Sequence, residues 1–176
     1  MRVGVPKGLL YCKYHRFFET FFCSLGAEII NSENTNKNIL NTGVGTCVDE
    51  ACLPVKIYHG HVASIKDQCD LIVIPRIMQV CKGEYICPKF CGLPEMVIHS
   101  ITDMPPVTTL PLYMHDNKSL YKWCLTYGSA ITRNRSKITN AFETALKAQS
   151  KAKTGIMELR KINVMLAGHP YVINDS

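Results

Sequence analysis

Met1-Arg-Val-Gly-Val-Pro-Lys-Gly8, the run from Leu9 to Leu25, Gly26 and then Ala27-Glu-Ile-Ile30 decide the fold between them. The first segment reads as a short buried strand that ends in a Pro/Gly turn. Leu10, Tyr14, Phe17, Phe18, Phe21, Phe22 and Leu25 then recur at helical spacing on one face. Gly26 suits the left-handed position just past a helix end, and a β-branched run follows at once. Strand, helix and strand in immediate succession predict parallel pairing, because the helix must carry the chain back to the starting edge.

Working outward, the same alternation continues. Further apolar runs lie at 71–74, 107–110 and 162–167, with amphipathic segments between most of them. Thr35 or Asn36 can cap a short helix through Leu40. A helix from 53 to about 66 carries Pro54 in its first turn, where a missing N–H costs nothing. Residues 93–101 read as a helix, and 118–152 as a longer helical region broken near Gly128. The expected fold is α/β, a parallel sheet with flanking helices, as a flavodoxin-like or Rossmann-like lobe. Residues 1–160 are expected to form that lobe. Residues 162–171 read as a strand opening into a Gly-Pro turn, so 161–176 is expected to be the truncated start of a second α/β half. The segment 75–91 reads as mostly irregular, and loops of that length usually carry function or are disordered.

The chain has 176 residues, 47% of them hydrophobic, enough to bury a core. The first residues lack the long apolar stretch and small-residue cleavage site of a signal peptide. No run approaches the roughly 20 apolar residues of a membrane span. A cytoplasmic protein with no membrane association is expected. Its nine cysteines, an odd number, then point to metal binding, redox work or inert burial rather than a disulfide framework. The formal charge of +6 is concentrated in the last third, around Arg133, Arg135, Lys137, Lys147, Lys151, Lys153, Arg160 and Lys161. Helix-period apolar positions run through part of that stretch, so the charges read as a solvated helical face. No aromatic-studded basic strand or zinc-finger spacing accompanies them, and no nucleic-acid partner is expected.

Two cysteine segments carry the chemistry: Asp49-Glu-Ala-Cys-Leu-Pro-Val-Lys56, running into His59-Gly-His61, and Glu84-Tyr-Ile-Cys-Pro-Lys-Phe-Cys-Gly-Leu-Pro-Glu95. If Cys52 is the N-cap of the helix starting at Leu53, its sulfur sits at the positive end of the helix dipole, which favours a thiolate. Lys56 and His59 follow at i+4 and i+7, on the same helical stripe. Cys87 and Cys91 lie in the loop at the carboxyl end of the third strand, the side of an open α/β sheet where ligands bind. Four thiolates are the usual complement of an iron–sulfur cluster. The spacing leaves the further ligands open among Cys47, Cys81 and Cys91. It matches neither the compact ferredoxin run nor the paired C-x2-C zinc pattern. The plain alternatives are a surface lysine at 56 and histidines that satisfy last-turn carbonyls. Cys12, Cys23, Cys69 and Cys124 read as small buried hydrophobes. Lys7-Gly8 and Gly43-Val-Gly45 lack the patterns of a nucleotide loop. No nucleophile–base–acid ordering is present, so no catalytic residue is assigned.

Arg2-Val-Gly-Val-Pro-Lys-Gly-Leu-Leu-Tyr11, Asp49-Glu-Ala-Cys-Leu-Pro-Val-Lys56, His59-Gly-His-Val62, Ile74-Pro-Arg76, Glu84-Tyr-Ile-Cys-Pro-Lys-Phe90 and Gly92-Leu-Pro94 together resemble the uncharacterised domain associated with 2-hydroxyacyl-CoA dehydratases and their ATP-dependent activases. Gly168-His-Pro-Tyr171 resembles the opening motif of that family's second half. The resemblance implies an α/β lobe that contributes cysteines to a [4Fe-4S] cluster, in low-potential electron transfer or radical dehydration of a 2-hydroxyacyl-CoA. Cys52 and Cys87 fall on the family's cysteine motifs. Lys56, His59 and His61 would tune the cluster's charge. An activase or a second dehydratase-like subunit would be the partner, a CoA thioester a further ligand, and the remaining thiolate could come from outside this chain. The other reading is a non-catalytic accessory or regulatory domain of an activase, with structural or zinc-binding cysteines.

Overall fold

The opening unit forms as its sequence dictates. Arg2–Val5 is β1, Tyr11–Leu25 is α1 and Glu28–Asn31 is β2, and the strands run parallel with Val3 opposite Ile29 and Gly4 opposite Ile30. Tyr14, Phe17, Phe18, Phe21, Phe22 and Leu25 are the buried face of α1. Burying each contributes about 2 kcal/mol, far more than helix propensity supplies. Gly26 ends the helix at φ 91°, donating its N–H to the Cys23 carbonyl, while Ala27 donates to Phe22. The computed structural model describes residues 1–152, so the expected strand at 162–167 and the expected second half from 161 lie outside the described residues.

Asn36 caps α2 (Lys37–Thr46), its side-chain oxygen accepting the Ile39 N–H at 3.0 Å. Next come α3 (Leu53–Ile65), a 3-10 turn (Lys66–Gln68) and β3 (Leu71–Ile72), which pairs in parallel with β1. A parallel bridge joins Ile72 to Val107, and β4 (Arg76–Gln79) pairs in parallel with β5 (Pro111–Tyr113). Residues 71–79 and 107–113 therefore run side by side, the first interrupted at Pro75, which has no N–H to give. Thr108 bridges the gap: its hydroxyl accepts the Ile74 N–H at 2.9 Å and donates to the Ile74 carbonyl at 3.0 Å. The strand order therefore reverses once, with β1 between β2 and β3 and the 107–113 segment outermost. That is the doubly wound arrangement, whose ligand crevice lies above the carboxyl ends of the strands on either side of the switch point, here β1 and β3.

The remaining helices are α4 (Leu93–Ser100), α5 (Asn117–Gly128) and α6 (Arg135–Lys151). Val3, Val5, Leu71 and Val73 pack with α1, α5 and α6; Ile72 and Ile74 pack with α3 and α4. Both faces of the sheet are covered, and this is why its strands read as continuous apolar runs. Some details differ from expectation: the helix expected to end at Leu40 runs on to Thr46, and Cys23, expected to be a buried hydrophobe, is exposed. The ladder expected at 107–110 begins only at Pro111, with Val107 as an isolated bridge. The segment expected to be mostly irregular holds β4 and a 3-10 turn at Pro88–Phe90. Of the β4 residues only Ile77 is buried, which leaves no apolar run to read.

Helices α2 and α3 meet backbone against backbone. A Cβ on Gly43 would lie 1.9 Å from the Lys56 carbonyl oxygen, and one on Gly60 would lie 1.9 Å from the Ile39 carbonyl oxygen. Because both obstacles are backbone, neither can rotate away. The pattern makes α2 and α3 an antiparallel hairpin whose connection, 47–52, sits at one end. Gly60→Ala should destabilise the protein by about 3 kcal/mol in denaturant unfolding. Gly45→Ala, on α2 with nothing within 4 Å, should be neutral or stabilise by about 0.5 kcal/mol.

Candidate functional site

The helical hairpin brings two thiols to one end. Cys47 is the C-cap of α2, its N–H donating to the Gly43 carbonyl at 3.1 Å, and Cys52 is the N-cap of α3. With extended backbone at φ −68° and ψ 153°, Cys52 turns the chain into the helix, and its carbonyl accepts from Val55 and Lys56. Cys87 holds the equivalent place before the 3-10 turn Pro88–Phe90. Two of the four exposed cysteines, 52 and 87, line one small pocket of about 20 Å³ with Leu9, Pro54, Val55, Lys89, Phe90 and Leu93. Thirty-five positions apart in sequence, they share this pocket because α3 starts above the same strand ends from which the 80–92 loop leaves.

At Cys47, beside this pocket, nearby positive charge opposes burial without overcoming it, so the thiol stays above its ordinary range. Burial pushes the Cys47 thiol up, while the Val48 N–H, Lys56 and Lys89 pull it down and Cys52 adds a smaller upward push. Cys47 therefore lies within electrostatic reach of Cys52 and of both lysines. The dipole of α3 adds partial positive charge at Cys52. Lys89 stands between Cys87 and Cys91 in the sequence; its partnership with Cys47 depends on tertiary placement and has no local sequence signal.

The other candidate residues occupy different surroundings. Cys91 sits against β4, its sulfur 3.9 Å from the Ile77 carbonyl, and exposed Cys81 lies near Tyr14. Tyr14 is pushed up to about 12 by burial first and Cys81 second. His59 and His61 are wholly buried. His59 Nδ1 is 2.8 Å from the Val55 carbonyl, and His61 Nε2 is 3.1 Å from the Thr35 hydroxyl. Burial lowers the His59 pKa, opposed by the Val55 and Met96 carbonyls. The stripe Cys52, Lys56, His59 thus runs from solvent to interior, with Lys56 half-buried between. Among the described residues no group of three or more His, Cys, Asp or Glu side chains is arranged to hold a metal ion. All nine cysteines are free.

Arg76 fixes the cysteine loop to the sheet. Its Nε donates to the Thr109 carbonyl at 2.7 Å, Nη1 donates to the Cys91 carbonyl at 2.9 Å, and Nη2 pairs with Glu95. One guanidinium spans the outer strand, the loop and the start of α4, which only a planar, multidentate donor can do.

The chain belongs to the family described as the CoA enzyme activase uncharacterised domain, whose model matches residues 2–176. No curated protein matches it, and no solved structure does. Among the described residues no helix is long and apolar enough to cross a membrane.

The thiols should separate by reactivity. With limiting iodoacetamide and peptide mapping, Cys52 and Cys87 should be modified well before buried Cys69 and Cys124, whose thiols burial raises to about 11 and beyond the ordinary range. Lys56→Gln removes a charge that lowers the Cys47 pKa. At a fixed pH below that pKa, alkylation of Cys47 should slow by about twofold.

Proposed function

We propose that this chain is a cytoplasmic iron–sulfur lobe of a CoA enzyme activase system. It would contribute Cys52 and Cys87, with Cys47 beside them, to a [4Fe-4S] centre whose donor set a second chain completes. The observation that carries the reading is the single pocket lined by both Cys52 and Cys87, with Lys56 and Lys89 near the adjoining Cys47. Cys52 and Cys87 are a partial set, and among the described residues no group of three or more His, Cys, Asp or Glu side chains is arranged to hold a metal, so Cys47 would have to move in when the centre forms. A shared centre accommodates that shortfall, since soft thiolate ligands can come from facing chains. Exposed Val44, Val48, Leu53 and Tyr85 flank the three thiols along the chain, an apolar rim suited to being covered by an activase or a dehydratase-like subunit. The class of chemistry is low-potential electron transfer, or radical dehydration of a 2-hydroxyacyl-CoA. The cluster would supply the electron, and this chain's residues would hold the sulfurs and their positive surroundings. Cys81 and Cys91, and His59 and His61, are less favoured as direct ligands because their environments lie away from the shared pocket or inside the core.

A second reading is favoured by the incomplete donor set itself: an accessory domain of the activase that uses Cys52 and Cys87 structurally or to share a zinc ion. Anaerobic purification of the native protein with its bound partners, followed by metal and sulfide analysis, separates the two. Iron with acid-labile sulfide, and loss of the visible absorption in Cys52→Ala and Cys87→Ala, is the expected result. Zinc alone, or an unchanged spectrum in both variants, would overturn the iron–sulfur reading.

A further inference from the structure

A second cavity lies beside the thiol pocket, at the switch point of the sheet. It is lined by Val5 and Gly8 from the end of β1, Val73 and Ile77 from 71–79, and Tyr58 from α3. Leu9, Phe90 and Leu93 line both cavities. Its enclosed volume is about 30 Å³, and it is partly open. A single water needs roughly 10–15 Å³ on that scale, so the space takes an ethyl-sized end and rejects a ring.

Two observations set this cavity apart from a packing gap. Tyr58 is 3% exposed, and its hydroxyl meets no hydrogen-bond partner among the described residues. Phenylalanine would fill the same volume without a stranded polar atom, so the hydroxyl is unexplained by folding. Neighbouring polar groups are already engaged: the Tyr11 hydroxyl donates to Glu19 at 2.9 Å, and His15 Nδ1 lies 2.9 Å from the Tyr11 carbonyl. The second observation is strain. Leu9, in the wall common to both cavities, has φ 50°, directly after Gly8 at φ 98°. A bulky side chain in the left-handed region is held there only by its surroundings, and such residues cluster at ligand sites.

We propose that this cavity binds the end of a small carbonyl compound of short-acyl size, its apolar tail against Val5, Val73 and Ile77 and its oxygen accepting from the Tyr58 hydroxyl. A carbonyl fits better than an alcohol or amine, because it brings no O–H or N–H of its own into apolar walls. The inference goes beyond the metal proposal and does not require it.

The test uses 2-butanone and its hydrocarbon counterpart 2-methyl-1-butene, titrated into the intact protein while the methyl resonances of Val5, Leu9, Val73, Ile77 and Leu93 are followed by NMR. The ketone should shift these methyls saturably, and Tyr58→Phe, with unfolding temperature unchanged or raised, should weaken it about fivefold. The hydrocarbon should bind wild type and variant alike. Absence of saturable shifts, or ketone binding that Tyr58→Phe leaves intact, overturns the proposal. A raised unfolding temperature in the variant without ketone binding in the wild type also overturns it. No metal enters the assay, so failure here leaves the thiol proposal standing, and failure of the metal analysis leaves this one standing.

Discussion

Backbone meets backbone where α2 crosses α3, and the geometry of the thiol end follows from that contact. Gly43 and Gly60 each face a carbonyl of the opposite helix at a distance no side chain allows. The helices are held at one height and one angle, and their connection is short. Cys47 and Cys52 are consequently fixed on either side of it. A looser crossing, set by interdigitated side chains, would leave the start of α3 free to slide along the sheet.

The sheet supplies the other half of the arrangement. With β1 between β2 and β3 and the strand order reversing between β1 and β3, the loops after β1 and after 71–79 converge at one edge. The Gly8-Leu9 turn comes from the first and the 80–92 loop from the second. Arg76 ties the second loop down through three partners on three segments. Cys87 and Phe90 are thereby brought over Leu9, and the N-terminus of α3 closes the group. Apolar floor, exposed sulfur and nearby lysines are the products of three separate connections meeting at one place.

Much of this was legible in the residues. The helical face of α1, its stop at Gly26, the cap at Asn36, the start of α3 at Cys52 and the break at Gly128 each have a local cause, and the structure places them where that cause predicts. The β4 strand was not legible, because one buried residue in four gives no period. The role of Gly43 was hidden for a different reason: a glycine at a helix crossing and a glycine in a loop look alike until the facing backbone is known. Tyr58 lies in an apolar helix and reads as core, since its unpaired hydroxyl is a tertiary fact. Cys47, Cys81 and Cys91 could not be ranked from spacing, and only placement distinguishes the thiol near Cys52 from the one against β4 and the one beside Tyr14.

A thiol centre at this end requires Cys52 and Cys87 to face one shared space. Dibromobimane, which fluoresces when it joins two nearby thiols, tests this directly on the native protein at low stoichiometry, with peptide mapping of the product. A cross-linked peptide pair joining Cys52 to Cys87 is the predicted result. Cross-links confined to other cysteines, with Cys52 and Cys87 modified only singly, would contradict it.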